Sequence, residues 1–267
     1  MKTIFKMMSL IFLNLAMIPN IYAQVDTLSD DDLLNGFDYE PVHSSTPSNA
    51  YKVIGIGYSG NMFFTKLDDL NKELQANFEL PELKTPIFMH RVGVYLALDP
   101  TKNFSIGYNY ASGSKKVEKS LSGGLQGYTR YLDYSVTSHS AELDYAIVPF
   151  KDFAILIGSS IGYSKIGIEY SQVLGDYQYP TQFTPVGDAN TKYQKMDGSF
   201  FFAEPHLVLQ YKLASNFMFK ASGGYSFAFS PNWKLNNSDA EIKNVPTSLK
   251  PEGVVAQVGL YVGIFDF

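Results

Sequence analysis

Val53-Ile54-Gly55-Ile56-Gly57-Tyr58-Ser59 decides the fold: its even positions carry large apolar side chains, and its odd positions after Val53 carry only Gly and Ser. A period of two is the signature of a strand whose two faces meet different surroundings. The contrast returns along the chain. Over 90–98, His90, Val92, Val94, Leu96 and Leu98 oppose Arg91, Gly93, Tyr95 and Ala97. Over 104–111, Phe104, Ile106, Tyr108 and Tyr110 oppose Ser105, Gly107, Asn109 and Ala111. Segment 153–164 sets Phe153, Ile155, Ile157, Ile161 and Tyr163 against Ala154, Leu156, Gly158, Ser160, Gly162 and Ser164. Segment 217–229 repeats the pattern, less regular strands fall at 132–147 and 199–211, and the last spans 253–265. These strands make eight.

Alternation alone does not say which face is enclosed, because a soluble barrel buries its apolar face and a membrane barrel turns it outward. The minor face decides. A water-facing exterior calls for long polar side chains, yet here that face is mostly Gly, Ser and Ala, which suit the crowded interior of a narrow barrel. The broad face is rich in Tyr and Phe near strand ends, as at Tyr58, Tyr110, Phe153, Tyr211, Phe217 and Phe229, the placement of an aromatic girdle. The connections agree. Those across 99–103, 148–152 and 212–216 are short, whereas 61–87, 112–131, 166–198 and 230–252 are long and rich in turn residues, as in barrels with short periplasmic turns and long outer loops. The expected fold is all-β: an eight-stranded antiparallel up-and-down transmembrane β-barrel over 51–267, with a lipocalin-like soluble barrel as the alternative.

Upstream of the barrel, Lys2 and Lys6 precede an apolar run from Met7 to Ile18 and a small-residue end at Tyr22-Ala23. Residues 1–23 therefore read as a secretory signal peptide, and the run is shorter than the ~20 residues a spanning helix needs. Residues 24–50 hold six carboxylates and no Lys or Arg, and read as a disordered acidic periplasmic tail. With the signal at +2 and the tail at −6, the body carries only −1, so nucleic-acid binding has no electrostatic footprint. The chain has no Cys, which excludes a lipid-anchored cysteine and disulfide staples.

The signal, the strand pattern and the ending Gly259-Leu260-Tyr261-Val262-Gly263-Ile264-Phe265-Asp266-Phe267 resemble small outer-membrane barrels of the OmpA-like and OmpX-like type, especially those of Bacteroidetes. The resemblance implies residence in the outer membrane of a Gram-negative bacterium, with its lipid and lipopolysaccharide as surroundings. It further implies that Phe265 and Phe267 carry the signal read by the barrel-insertion machinery. Parity departs from this, since Val258, Leu260, Val262 and Ile264 point to lipid, turning both rings inward unless a bulge intervenes. No catalytic residue, metal site or cofactor is expected.

Parity places a set of polar residues in the interior: Arg91, Tyr95, Asn109, Glu142, Asp144, Glu204, His206, Gln210, Lys220, Gln257 and Tyr261. A barrel of eight strands is too narrow for an open pore, so Arg91 and Lys220 are expected to pair with Glu142, Asp144 and Glu204 in a structural network, a proton or ion path being the alternative. Glu204 and His206 share a face as a two-ligand metal candidate without a third ligand. His139-Ser140 invites comparison with lipid-modifying outer-membrane enzymes, but adjacent strand residues face opposite ways. In the first loop, Thr65-Lys66-Leu67-Asp68 has capping-box spacing, and Leu67, Leu70, Leu74 and Phe78 form one stripe ending before Pro81. A short helix packed over the barrel mouth is expected there. Lys115, Lys116 and Lys119 form a basic cluster that could touch lipopolysaccharide, and the outer loops offer a surface for a partner. The function these readings support is structural or surface-interacting, with a lipid-modifying enzyme and a small-ligand or ion conduit as alternatives.

Overall fold

The computed structural model describes residues 51–97, 103–121, 127–174, 192–235, 240–243, 245 and 249–267. The expected signal peptide, acidic tail and most of the first short turn lie outside them. Eight antiparallel strands close into one ring in sequence order: β1 (Lys52–Thr65), β2 (Ile87–Ala97), β3 (Phe104–Leu121), β4 (Tyr128–Phe150), β5 (Phe153–Leu174), β6 (Lys192–Ala214), β7 (Phe217–Leu235) and β8 (Gly253–Asp266). Closure is made by β1 against β8, in unbroken register from Lys52↔Asp266 to Thr65↔Gly253. Two of the short turns shrink to Lys151-Asp152 and Ser215-Asn216, with Asp152 at φ 65°. At that end the Asp152 N–H donates to the Phe267 carbonyl at 2.9 Å, tying the last residue to a turn.

Orientation follows the parity of the sequence. Ile264 is 67 % exposed while Tyr261, three residues earlier on the other face, is 0 % exposed. Ile54, Ile56, Val92, Val94, Ile106, Leu143, Ile157, Leu207, Phe219, Val258 and Leu260 are likewise turned out. Removing each such side chain from water is worth about 1.5–3 kcal/mol, so a continuous outward belt of them is stable only against hydrocarbon. The glycines opposite make room: a Cβ at Gly57 would run into the Tyr261 ring, and one at Gly107 into Tyr95. Phe265 and Phe267 are buried in the interior, as parity requires, and β8 pairs with both neighbours without a register shift.

Parts of the expected long loops are strand. β3 and β4 pair out to Leu121↔Tyr128, and β5 and β6 out to Gln172↔Lys192, so 112–121, 128–131, 166–174 and 192–198 form a tall wall rather than loops. The reason is an exchange of faces. Along β4 the outward set runs Ile147, Tyr145, Leu143, Ala141 and His139, then becomes Thr137, Ser135 and Asp133; the inward set runs Asp144, Glu142 and Ser140, then becomes Val136, Tyr134 and Leu132. On β5 the same exchange falls between Tyr163 and Lys165, with Ile166 and Ile168 now buried. On β6 it falls between Phe201 and Ser199. The strands cross from lipid to water there and continue as an ordinary two-faced sheet, which an apolar-outward template does not recognise.

The first outer loop holds α1 (Asp68–Phe78), whose Leu70 and Leu74 are buried. The capping box does not form: Thr65 is still in β1 with its side chain inward, and Leu67 stands at the N-cap without a side-chain cap bond. Asp68 and Asp69 in the first turn favour the helix through its dipole, and Glu79 ends it at φ 55° with its N–H on the Leu74 carbonyl. Leu67, Leu70, Leu74, Leu80 and Leu83 pack with Leu132, Tyr134, Ile166, Ile168, Phe200 and Trp233 into a core that stops the outer mouth. A second apolar layer, with Leu156, Val208, Met218, Phe265 and Phe267, fills the opposite end.

The boundary is testable by stability. Ile157→Lys, mid-belt and outward, is expected to lower the unfolding free energy in lipid by about 2–4 kcal/mol. Ser114→Lys, outward on the wall, is expected to change it by less than about 0.5 kcal/mol. Equal costs in urea titrations of bilayer-reconstituted protein would mean the boundary is misplaced.

Candidate functional site

Between the two apolar layers lies a polar waist. Each of its side chains is set inward by strand parity. On β4, Glu142 and Asp144 are fully buried; Arg91 enters from β2, Glu204 and His206 from β6, and Lys220 from β7. Glu142 is the hub. Its Oε1 accepts from Lys220 Nζ at 2.6 Å, and its Oε2 accepts from Asn109 Nδ2 at 2.8 Å and from the Tyr95 hydroxyl at 3.2 Å. Lys220 Nζ also lies 3.8 Å from the centre of the Tyr95 ring, so the ammonium is held between a carboxylate and an aromatic face.

His206 Nε2 meets Asp144 Oδ1 at 2.7 Å and lies 3.9 Å from Glu142 Oε1. Arg91 Nη2 is 3.7 Å from Glu204 Oε1, and its Nη1 donates to Gln257 Oε1 at 2.8 Å. With its amide oxygen turned toward the guanidinium, Asn61 accepts from Arg91 Nε at 2.9 Å and Nη2 at 3.3 Å. Gln257 Nε2 passes the chain on to Ser59 Oγ and the Tyr261 hydroxyl. Two cations, with the His206 imidazole beside them, thus face three carboxylates. Low dielectric makes such balance necessary, because an uncompensated buried charge costs several kcal/mol.

The six ionic residues singled out from sequence therefore stand together, but not all as paired there. Glu204 and His206, the two-ligand candidate, diverge: Glu204 goes to Arg91 and His206 to Asp144. Donor atoms of Glu142, Asp144 and His206 do lie within 4.8 Å of one another, close enough for a cation. Lys220, however, already occupies Glu142 Oε1, and an ammonium at that distance opposes a second positive charge. The set fits an ion-pair network better than a metal centre. Tyr51, Ser59 and Asn61 were missed, although Ser59 and Asn61 share the inward parity of β1.

His139 and Ser140 face opposite sides, the first exposed and bonded to Tyr108, the second buried. The lysine cluster is dispersed by β3: Lys115 donates to the Pro86 carbonyl at 3.2 Å, while Lys116 lies over the Tyr131 ring at 4.0 Å on the other face.

A closed ring with an apolar belt outside and matched charges inside is an outer-membrane β-barrel. No protein-family model and no curated protein matches the chain. Among solved structures it is similar to a major outer membrane protein from Thermus thermophilus (TM-score 0.46, 10 % identity, 79 % of this chain and 100 % of that one). It is also similar to Ail, the attachment invasion locus protein of Yersinia pestis (TM-score 0.36, 12 % identity, 81 % and 98 %). A third is CarO2 of Acinetobacter baumannii (TM-score 0.34, 12 % identity, 79 % and 98 %).

Removing one member of the waist should be worse than removing a pair. Lys220→Met is expected to cost about 3–5 kcal/mol in urea unfolding, and adding Glu142→Gln is expected to restore more than half of it. A double variant as unstable as the sum of the two singles would show that the contact is not coupled.

Proposed function

We propose that the protein is a sealed membrane anchor that holds an extracellular β wall and its plugged mouth for contact with the surroundings, with no catalytic or transport role. The observation that carries this reading is the filled interior. Among the described residues, a cavity inside the ring, bounded by Arg91, Glu204, Asn61 and Phe202, has a volume of about 40 Å³. That is room for about three waters. The wall of β3 to β6, by contrast, continues well beyond the apolar belt, and its outward face is polar over Ser112, Ser114, Thr137, Ser135 and Ser199. The non-catalytic reading is supported by the split of His139 from Ser140, which turns the imidazole out of the barrel and the serine into it.

The ending Phe265-Asp266-Phe267 is read as the segment engaged by the insertion machinery before folding buries both rings. Residues 1–23 are read as the export signal that brings the chain there, and 24–50 as a periplasmic tail.

Planar bilayers test the reading directly. Purified full-length protein is expected to insert without producing conductance steps at 1 M KCl. Steady unitary conductance that vanishes in a Lys220→Met/Glu142→Gln variant would replace the anchor with an ion conduit through the waist.

A further inference from the structure

Two histidines break the apolar belt, and they do so in the same way. His90 on β2 and His139 on β4 both face outward and are exposed, and in each the Nδ1 atom bonds to a tyrosine hydroxyl on the preceding strand: Tyr58 for His90, and Tyr108 for His139 at 2.7 Å. The registers match. Tyr58 lies directly across from Val92, and Tyr108 directly across from Ala141, so each tyrosine reaches diagonally to a histidine two residues nearer the water. Tyr110 completes the patch, with its ring 5.0 Å from His139.

Depth is fixed by the exchange of faces. His139 is the last outward residue of β4 before the polar set begins at Thr137, and His90 is paired with Ser112, the first polar outward residue of β3. Both rings therefore sit near the outer edge of the apolar belt, His139 at its end on β4 and His90 one outward position inside Phe88 on β2. With the tyrosine hydroxyl donating to Nδ1, the neutral imidazole carries its proton on Nε2, and the imidazolium carries one there too. Neither Nε2 has a protein partner among the described residues, and a donor at that depth costs free energy until something accepts from it.

The neighbours state what would accept. Lys165 on β5 lies cross-strand from Thr137 and is exposed at the same boundary, and the Ser112 and Thr137 side chains flank the histidines. Glu142 and Asp144, the carboxylates nearest in β4, point into the barrel. Donors and one cation face outward here, and the outward Asp197 on β6, diagonal to Lys165, already has Lys195 at 3.5 Å, an arrangement that suits an anion.

We propose that the Tyr58–His90 and Tyr108–His139 pairs, with Lys165, bind the phosphorylated head group of an outer-leaflet glycolipid. The tyrosines fix each ring so that Nε2–H points along the membrane surface, and the phosphate oxygens accept from it. The inference rests on the outer-membrane orientation and adds a lipid site to it.

The test uses the full-length protein in phosphatidylcholine nanodiscs carrying either lipid A or the same lipid A after phosphatase treatment. Native mass spectrometry is expected to show about tenfold preferential retention of the phosphorylated form, the worth of one charge-assisted hydrogen bond or more, and His90→Gln/His139→Gln to abolish the preference. Nitrogen-15 spectra of the wild-type imidazoles are expected to shift at Nε2 only with the phosphorylated lipid, a readout that does not depend on any variant folding. Equal retention of the two lipids by the wild type, undiminished preference in the double variant, or unmoved Nε2 resonances would each overturn the proposal. Failure of the wild type to enter the discs at all would instead count against the barrel's membrane orientation.

Discussion

Inside hydrocarbon no water is present to satisfy a backbone N–H or C=O, and each one left unpaired costs several kcal/mol. The fourteen-residue pairing of β1 with β8 removes the two edges that this sheet would otherwise expose. Everything else is downstream of that closure. Once the ring is shut, every strand has one face against lipid and one against its own enclosed axis, and the side chains must sort accordingly. Ile, Val, Leu and Phe go outward; what remains has to fill a tube too narrow for bulk water.

How the tube is filled depends on height. Mid-membrane, the interior admits charge only in balanced form, and Glu142 is held by Lys220, Asn109 and Tyr95 at once. At each end the filling is apolar, from Leu156, Val208 and Phe265 on one side and from the leucines of α1 on the other. The layering is coherent. Apolar stoppers keep bulk water from the waist, and the low dielectric that results strengthens the ion pairs that hold facing strands at fixed separation. The same lipid-to-water boundary that flips the outer face of β4 and β5 flips the inner face too, so each strand is two differently patterned strands joined end to end.

That join explains what could and could not be read from the residues alone. Strand number, parity and the inward placement of Arg91, Glu142, Asp144, Glu204, His206 and Lys220 follow from period-two spacing, because parity persists however long a strand becomes. Strand ends do not follow. Past Thr137 and Lys165 the large apolar residues move to the inner face, and a template that looks for them outside reads the wall as loop. Thr65 misled in a related way: its spacing from Asp68 suits a helix cap, but pairing with Gly253 keeps it in β1. The partners within the waist were beyond reach as well, since which acid meets which base depends on the stagger between strands and not on parity. The outward histidines could have been noticed as the only imidazoles of the apolar belt, yet their tyrosine partners lie on neighbouring strands and required the register.

The central claim is that the apolar face changes sides along a single strand, and β4 is where it can be measured. The protein has no native Cys, so single cysteines at outward positions 131, 133, 135, 137, 139, 141, 143 and 145 can each carry a spin label in bilayer-reconstituted protein. Relaxation by oxygen, which partitions into lipid, should dominate at 141, 143 and 145, and relaxation by a water-soluble nickel chelate at 131, 133 and 135, with the crossover at 137–139. Uniform chelate accessibility along the whole series would contradict the account, because it would place the Ile and Leu face of this barrel in water.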